Sequence, residues 1–209
     1  VNRRRTAPAL LVLAALTALT ALTGCAGGGA GAPATAVPPA KVVETASPAP
    51  AASAAPLPRS KPVRVRVPAA GVDTGPVLEL GLAGDGTVEV PSEADAERIG
   101  WYDKGVTPGQ TGPAILIGHF DTARGPAVLK NVAKVRVGDE ITVTRADGTD
   151  AVFRVRELEQ VDKKAFPTRK VYGDTTRPEL RLITCGGELV DGHRPDNIIL
   201  YADLVTRAA

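Results

Sequence analysis

Three runs in this chain, AILIGH (114–119), ELRLITC (179–185) and NIILYADL (197–204), are almost wholly apolar and rich in branched side chains. Runs this short, with no polar face, read as strands covered on both sides. Any fold the chain adopts has to put these three strands near its centre. Around them the pattern changes to alternation of apolar and polar residues, the mark of half-buried strands. VRVRV (63–67) alternates valine with arginine, and VLELGL (77–82) and TVEV (87–90) flank Gly84-Asp85-Gly86, a strong hairpin signal. DEITVT (139–144) and AVFRVREL (151–158) flank Asp147-Gly148, which predicts a second hairpin. A helix is predicted only at SEADAERIG (92–100), with Ser92 as its cap and Gly100 as its stop. The chain is therefore all-β: about eight strands joined by turns, with one or two short helices, closed into a small barrel or stacked as a sandwich.

That pattern occupies residues 61–209, and what precedes it is of another kind. Residues 1–24 run from a basic start, NRRR, into an apolar stretch from Ala7 to Thr23, and read as a signal peptide or membrane-targeting segment. LTGC (22–25) resembles the bacterial lipobox, in which small residues precede a cysteine that receives lipid, so Cys25 is the candidate lipidation site. The alternative is an uncleaved apolar anchor helix; both readings tether the domain to the outer face of the cytoplasmic membrane. Residues 25–60 are nearly all Ala, Pro, Gly and Ser and cannot repay their ordering entropy by burial, so they read as a disordered linker. Charge supports export without a nucleic-acid role. Of 25 basic residues three lie in the basic start, which leaves 22 against 23 acidic ones, with seven aromatics in the chain.

Cys25 and Cys185 are the only cysteines. If Cys25 carries lipid, Cys185 has no disulfide partner, and a lone thiol outside the cytoplasm is a liability unless it is buried or used. Three residues stand where apolar strands end or begin: His119 after ILIG, Cys185 after LRLIT, and Arg194 just before the last strand. Taken singly, each has an ordinary structural use. Together they are the parts of a thiol acyl-transfer site. A free thiol is mostly protonated at neutral pH, and a neighbouring histidine can take its proton and return it to a leaving amine. A guanidinium can donate to the oxyanion of a tetrahedral intermediate. Gly186 and Gly187 are expected to leave room for a peptide backbone beside the sulfur. No C-x-x-C or H-x-x-x-H pairing is present, so no metal and no cofactor is expected.

Several long segments resemble, in order, the sortases, and within them the actinobacterial class F group. These are VRVRVPAAGVDTGPVLELGLAGDGTVEVP, GWYDKGVTPGQTGPAILIGHFDT, FPTRKVYG, and LRLITCGGELV with DNIILYA, spanning about Lys61 to Asp203. The resemblance implies an eight-stranded closed β-barrel and a cysteine transpeptidase. Cys185 and His119 match the family's thiol and histidine. The implied reaction cleaves an LPxTG-like sorting signal after its threonine, and an amine then resolves the thioacyl enzyme. The implied partners are secreted proteins with C-terminal sorting signals and a peptidoglycan precursor or another amine acceptor. The stretch G-H-R-P-D-N departs from the family, because its arginine lies one position early. Arg194 is the nearest candidate, Arg181 is a fallback on the same strand face as Cys185, and His193 competes with His119 as base. Two other functions fit the same residues: a thiol hydrolase of this fold, and a catalytically weak lipoprotein that binds wall peptides. An L,D-transpeptidase does not, since its S-x-G-C setting is absent around Cys185.

Overall fold

The computed structural model describes residues 54–205. The signal segment, Cys25 and most of the linker lie outside the described residues. The chain forms β1 (Pro62–Val67), β2 (Val72–Thr74), β3 (Leu78–Leu80), β4 (Ile99–Tyr102), β5 (Gly112–Gly118), β6 (Asp121–Thr122) and β7 (Gly125–Pro126). It continues with β8 (Glu140–Arg145), β9 (Asp150–Asp162), one α-helix, α1 (Thr168–Tyr172), and then β10 (Pro178–Gly186) and β11 (Asp196–Leu204). Nine strands make one curled sheet in the order β2-β1-β8-β9-β11-β10-β5-β4-β3, and β6 pairs only with β7. Toward its ends the sheet turns back on itself, since Val77 N donates to Val63 O in β1 at 3.2 Å.

The three dense runs are β5, β10 and β11, adjacent in the centre of the sheet. Their lack of alternation is explained by cover on both faces. Leu180 and Leu182 of β10 join the main core with Leu116, Ile198, Leu200 and Trp101. Ile183 faces the other way, into a second cluster with Ile115, Ile117, Ile199 and Val171 of α1. The Asp147-Gly148 hairpin forms as expected, joining β8 to β9 with Gly148 at a φ of 83°.

Two expectations are corrected. The Gly84-Asp85-Gly86 turn closes, with Ala83 N donating to Thr87 O at 2.8 Å, but its hairpin shrinks to a single bridge between Leu82 and Val88. The reason is that β3 pairs in parallel with β4 instead. The helix read at 92–100 is a single 3₁₀ turn, Glu93–Asp95. Ser92 caps no backbone group and donates instead to Asp95 Oδ2 at 2.7 Å. Gly100 stops no helix. It lies within β4, where a side chain would strike Leu80 at 2.4 Å, so β3 can press against β4 only over a glycine.

Residues 54–60, the end of the stretch whose composition reads as linker, lie along the domain. Leu57 N donates to Gly109 O at 2.8 Å, Ser60 N donates to Thr107 Oγ1 at 3.1 Å, and the Pro58 carbonyl accepts from buried Arg145.

Candidate active site

Strands β5 and β10 run parallel, and their register ends at Ile117 opposite Ile183. His119 and Cys185 each lie two residues further along. They therefore stand at the ends of two neighbouring parallel strands, His119 just past β5 and Cys185 at the penultimate residue of β10. Both are half-buried. The chain after β5 is folded back tightly, with Leu129 N on His119 O at 2.9 Å and Ala127 N on Phe120 O at 3.0 Å. His119 Nε2 lies 2.6 Å from the carbonyl oxygen of Pro91. A carbonyl only accepts, which assigns the proton of the neutral ring to Nε2 and leaves Nδ1 as the nitrogen free to take a proton.

Beside the thiol, the two glycines do not clear a peptide-wide slot. A side chain on Gly186 would meet Ile198 at 2.6 Å, so that space holds core. Gly187 turns the chain, at a φ of 82°, with Asp196 and Pro195 close against it. The glycines serve the strand exit and its packing on β11.

Arg194 is bound between the loop after His119 and the loop after Cys185. Its Nε and Nη2 donate to both oxygens of Asp121, at 2.6–3.0 Å, and Nη1 donates to the carbonyl of Gly187. The guanidinium also stacks 4.5 Å over the ring of Phe120. Asp121 is two residues past His119, and Gly187 is two past Cys185, so this one side chain ties the histidine loop to the thiol loop. Three of the five guanidinium donors are spent on that tie.

The fallback arginine is further from the chemistry. Arg181 is 2% exposed and donates to Glu179 Oε2 at 2.7 Å and to Leu180 O. Glu179 also pairs with Arg156 and Arg177. Burial pulls the Arg181 guanidinium below its usual range, although Glu179 works against it. Burial raises the Glu179 carboxyl, but Arg156 and Arg181 outweigh burial and hold it below the ordinary carboxylate range. Arg181 therefore belongs to a buried ion network. His193 lies on an exposed turn closed by reciprocal backbone bonds with Val190 at 2.8 Å.

A groove of about 1160 Å³ is lined among others by Val88, Tyr102, Ile115, Phe166, Tyr172 and Asn197, with neither His119 nor Cys185 in its lining. Burial, with Tyr102 adding to it, pushes the Tyr172 phenol up, so it stays a neutral hydrogen-bonding group. Asn197 is the direct cross-strand neighbour of Cys185, which joins the groove to the thiol. Lys163 lines the same groove and brings Nζ to 3.5 Å from Cys185 Sγ. Lys163, Asp121, Pro91 and Asn197 were not singled out from the sequence. Asp121 lies inside the quoted GHFDT segment and was open to being found. A lysine pair after an alternating strand reads only as solvated charge.

The sequence model of the family described as "Sortase domain" matches residues 65–205. No curated protein matches the chain. Among solved structures, the sortase C1 of Streptococcus agalactiae in complex with MTSET superposes with a TM-score of 0.54 at 15% identity, covering 72% of each chain. Sortase C1 of Streptococcus suis gives 0.52 at 14% identity, over 72% of this chain and 76% of that one. A lid mutant of sortase A from Corynebacterium diphtheriae gives 0.53 at 17%, over 73% and 74%. These likenesses establish a shared fold.

Proposed function

Because the chain belongs to the sortase family, we propose that it is a class F-like cysteine transpeptidase that cuts an LPxTG-like sorting signal and passes the protein to a cell-wall amine. The observation that carries this reading is the parallel β5–β10 register, which ends two residues short of both His119 and Cys185. A thiol and an imidazole at the ends of adjacent parallel strands support a nucleophile–base pairing of the kind acyl transfer needs.

In the reaction, His119 Nδ1 takes the Cys185 proton while Pro91 holds Nε2–H in place. The thiolate attacks the carbonyl carbon of the threonine, and the glycine amine leaves with the proton from His119. An acceptor amine then repeats the step in reverse and releases the joined product. The groove bordering Asn197 exceeds the roughly 300–1,000 Å³ of ordinary small-ligand pockets, and its aromatic and aliphatic walls suit the leucine and proline of an extended peptide. The enzyme works outside the cytoplasmic membrane, tethered through lipid on Cys25 or through an apolar anchor, with its groove open to secreted proteins.

Incubating the full chain with an LPxTG peptide and an amine tests this. The expected product is the new amide, formed through a thioester on Cys185. Cys185→Ala should abolish it, and His119→Ala should lower its rate about 10²- to 10⁴-fold. Free acid in place of amide would make the protein a hydrolase of this fold. Neither product, with no thioester, would leave a peptide-binding protein.

A further inference from the structure

Lys163 is the first residue past the β9–β11 ladder, and its Nζ stands 3.5 Å from Cys185 Sγ. The backbone builds this approach. Lys163 N donates to Pro195 O at 2.9 Å, one step beyond the pairing of Asp162 with Asp196. Across β11, Asp196 pairs with Gly186 and Asn197 with Cys185. Asp162, Asp196 and Gly186 thus form one row, and Val161, Asn197 and Cys185 form the row before it. Lys163 opens a 3₁₀ turn, Lys163–Ala165, just past that strand end, and from there its side chain reaches the thiol. The ammonium reaches the sulfur over Asn197, along the groove that both residues line.

The charges around the thiol leave this ammonium available. Asp121 is held by Arg194, Asp196 accepts from Gln160 Nε2 at 2.6 Å, and Asp162 accepts from Lys164 N at 2.7 Å. The polar contact found for Lys163 Nζ is the thiol itself. Arg194, the arginine expected to serve the oxyanion, spends three of its five donors on Asp121 and Gly187, whereas the Lys163 ammonium lies at the sulfur itself.

Resting on the reading of Cys185 as nucleophile, we infer that Lys163 is a cation of the reaction centre in addition to Arg194, stabilising first the Cys185 thiolate and then the oxyanion. The thiol proton passes to His119, a sulfur lone pair closes the S–C bond, and the carbonyl π pair moves to oxygen. A Lys163 N–H donates to that oxygen until the pair returns, the C–N bond breaks, and the departing amine takes the proton from His119. Lys163 keeps its own three protons throughout. Removing a donor of this kind costs on the order of 100-fold in buried sites, and less here, where the lysine is exposed.

The test uses the full chain with Lys163→Met and Lys163→Arg. One readout is the single-turnover rate of thioester formation with LPxTG peptide. The other is the ratio of Cys185 alkylation rates by anionic iodoacetate and neutral iodoacetamide, which senses charge at the sulfur. Lys163→Met should lower that ratio about 5-fold, the effect of one unit charge near 4 Å in water, and slow acylation about 10-fold or more. Lys163→Arg should recover most of both. An unchanged ratio in Lys163→Met overturns the inference, and so does a lowered ratio with acylation at the wild-type rate. If the wild-type chain makes no thioester from the peptide, the function proposed above fails; the ratio, read on the thiol itself, then decides on its own whether Lys163 is its cation.

Discussion

At the residue scale, Arg194 separates two roles that the sequence runs together. An oxyanion donor acts on the substrate, whereas a bidentate pair with Asp121 and a bond to the Gly187 carbonyl hold two loops in place. The geometry favours the second role, because Asp121 lies two residues past His119 and Gly187 two past Cys185. A positioning residue should fail together with its partner. Arg194→Ala and Asp121→Ala should each lower kcat/KM on the order of 100-fold, the cost of about 1 Å of misplacement, and the double variant should be little worse than either alone. Steady-state kinetics on a double-mutant cycle reads this directly. Additive losses, or a mild effect of Asp121→Ala beside a severe one of Arg194→Ala, would return Arg194 to the oxyanion. Arg194→Lys should behave like the alanine variant, because an ammonium cannot bridge both carboxylate oxygens in the same plane.

At the element scale, β10 carries the thiol at one end and a buried charge cluster at the other. Glu179 is 4% exposed and accepts from Arg156, Arg177 and Arg181. Glu179→Gln removes the one carboxylate these three arginines share, and should cost about 3–5 kcal/mol in urea unfolding, the penalty for stranding a buried charge. Its pH dependence has a definite sign. The folded carboxyl is held below its ordinary value of 4.5, so its stabilisation is complete above that value and is lost as pH falls through the lower folded one. Wild-type stability should therefore drop below about pH 4.5 by a component that Glu179→Gln lacks. The central strands were legible because cover on both faces removes alternation, which is why ELRLITC reads as one run despite Arg181. The same reasoning singled out His119 and Cys185, since a polar residue ending such a run has to be placed by it. Lys163 was illegible because its reach to the sulfur depends on the stacking of β9, β11 and β10, a pairing no local pattern encodes. The 92–100 helix was misread because SEADAERIG has a capping residue and helix formers but only one turn before Gly100 must enter β4.

At the scale of the whole molecule, composition placed the domain boundary at Lys61, while the chain path puts structure further upstream. Leu57 packs on the main core and against Gly109, whose φ of 101° no other residue adopts easily. Buried Arg145 gives an N–H to Pro58, and Arg59 stacks 5.9 Å from the ring of Trp101 while lining the groove. A segment rich in Ala and Pro becomes ordered here because the barrel supplies what the segment lacks, an apolar notch and unsatisfied donors. If residues 54–60 belong to the domain, two truncations should differ in stability. A chain beginning at Lys61 loses about 1–2 kcal/mol for the half-buried Leu57 and a further 1–3 kcal/mol for the stranded Arg145 donor, relative to one beginning at Ala54. For a domain of this size, that corresponds to a Tm lower by roughly 6–16 °C in differential scanning calorimetry. Leu57→Ala in the longer chain should reproduce about a third of the drop. Equal melting temperatures for the two truncations would restore the boundary at Lys61 and make residues 54–60 part of the tether. A difference of the stated size would make residues 54–60 part of the folded domain, with Arg59 among the residues that line the groove.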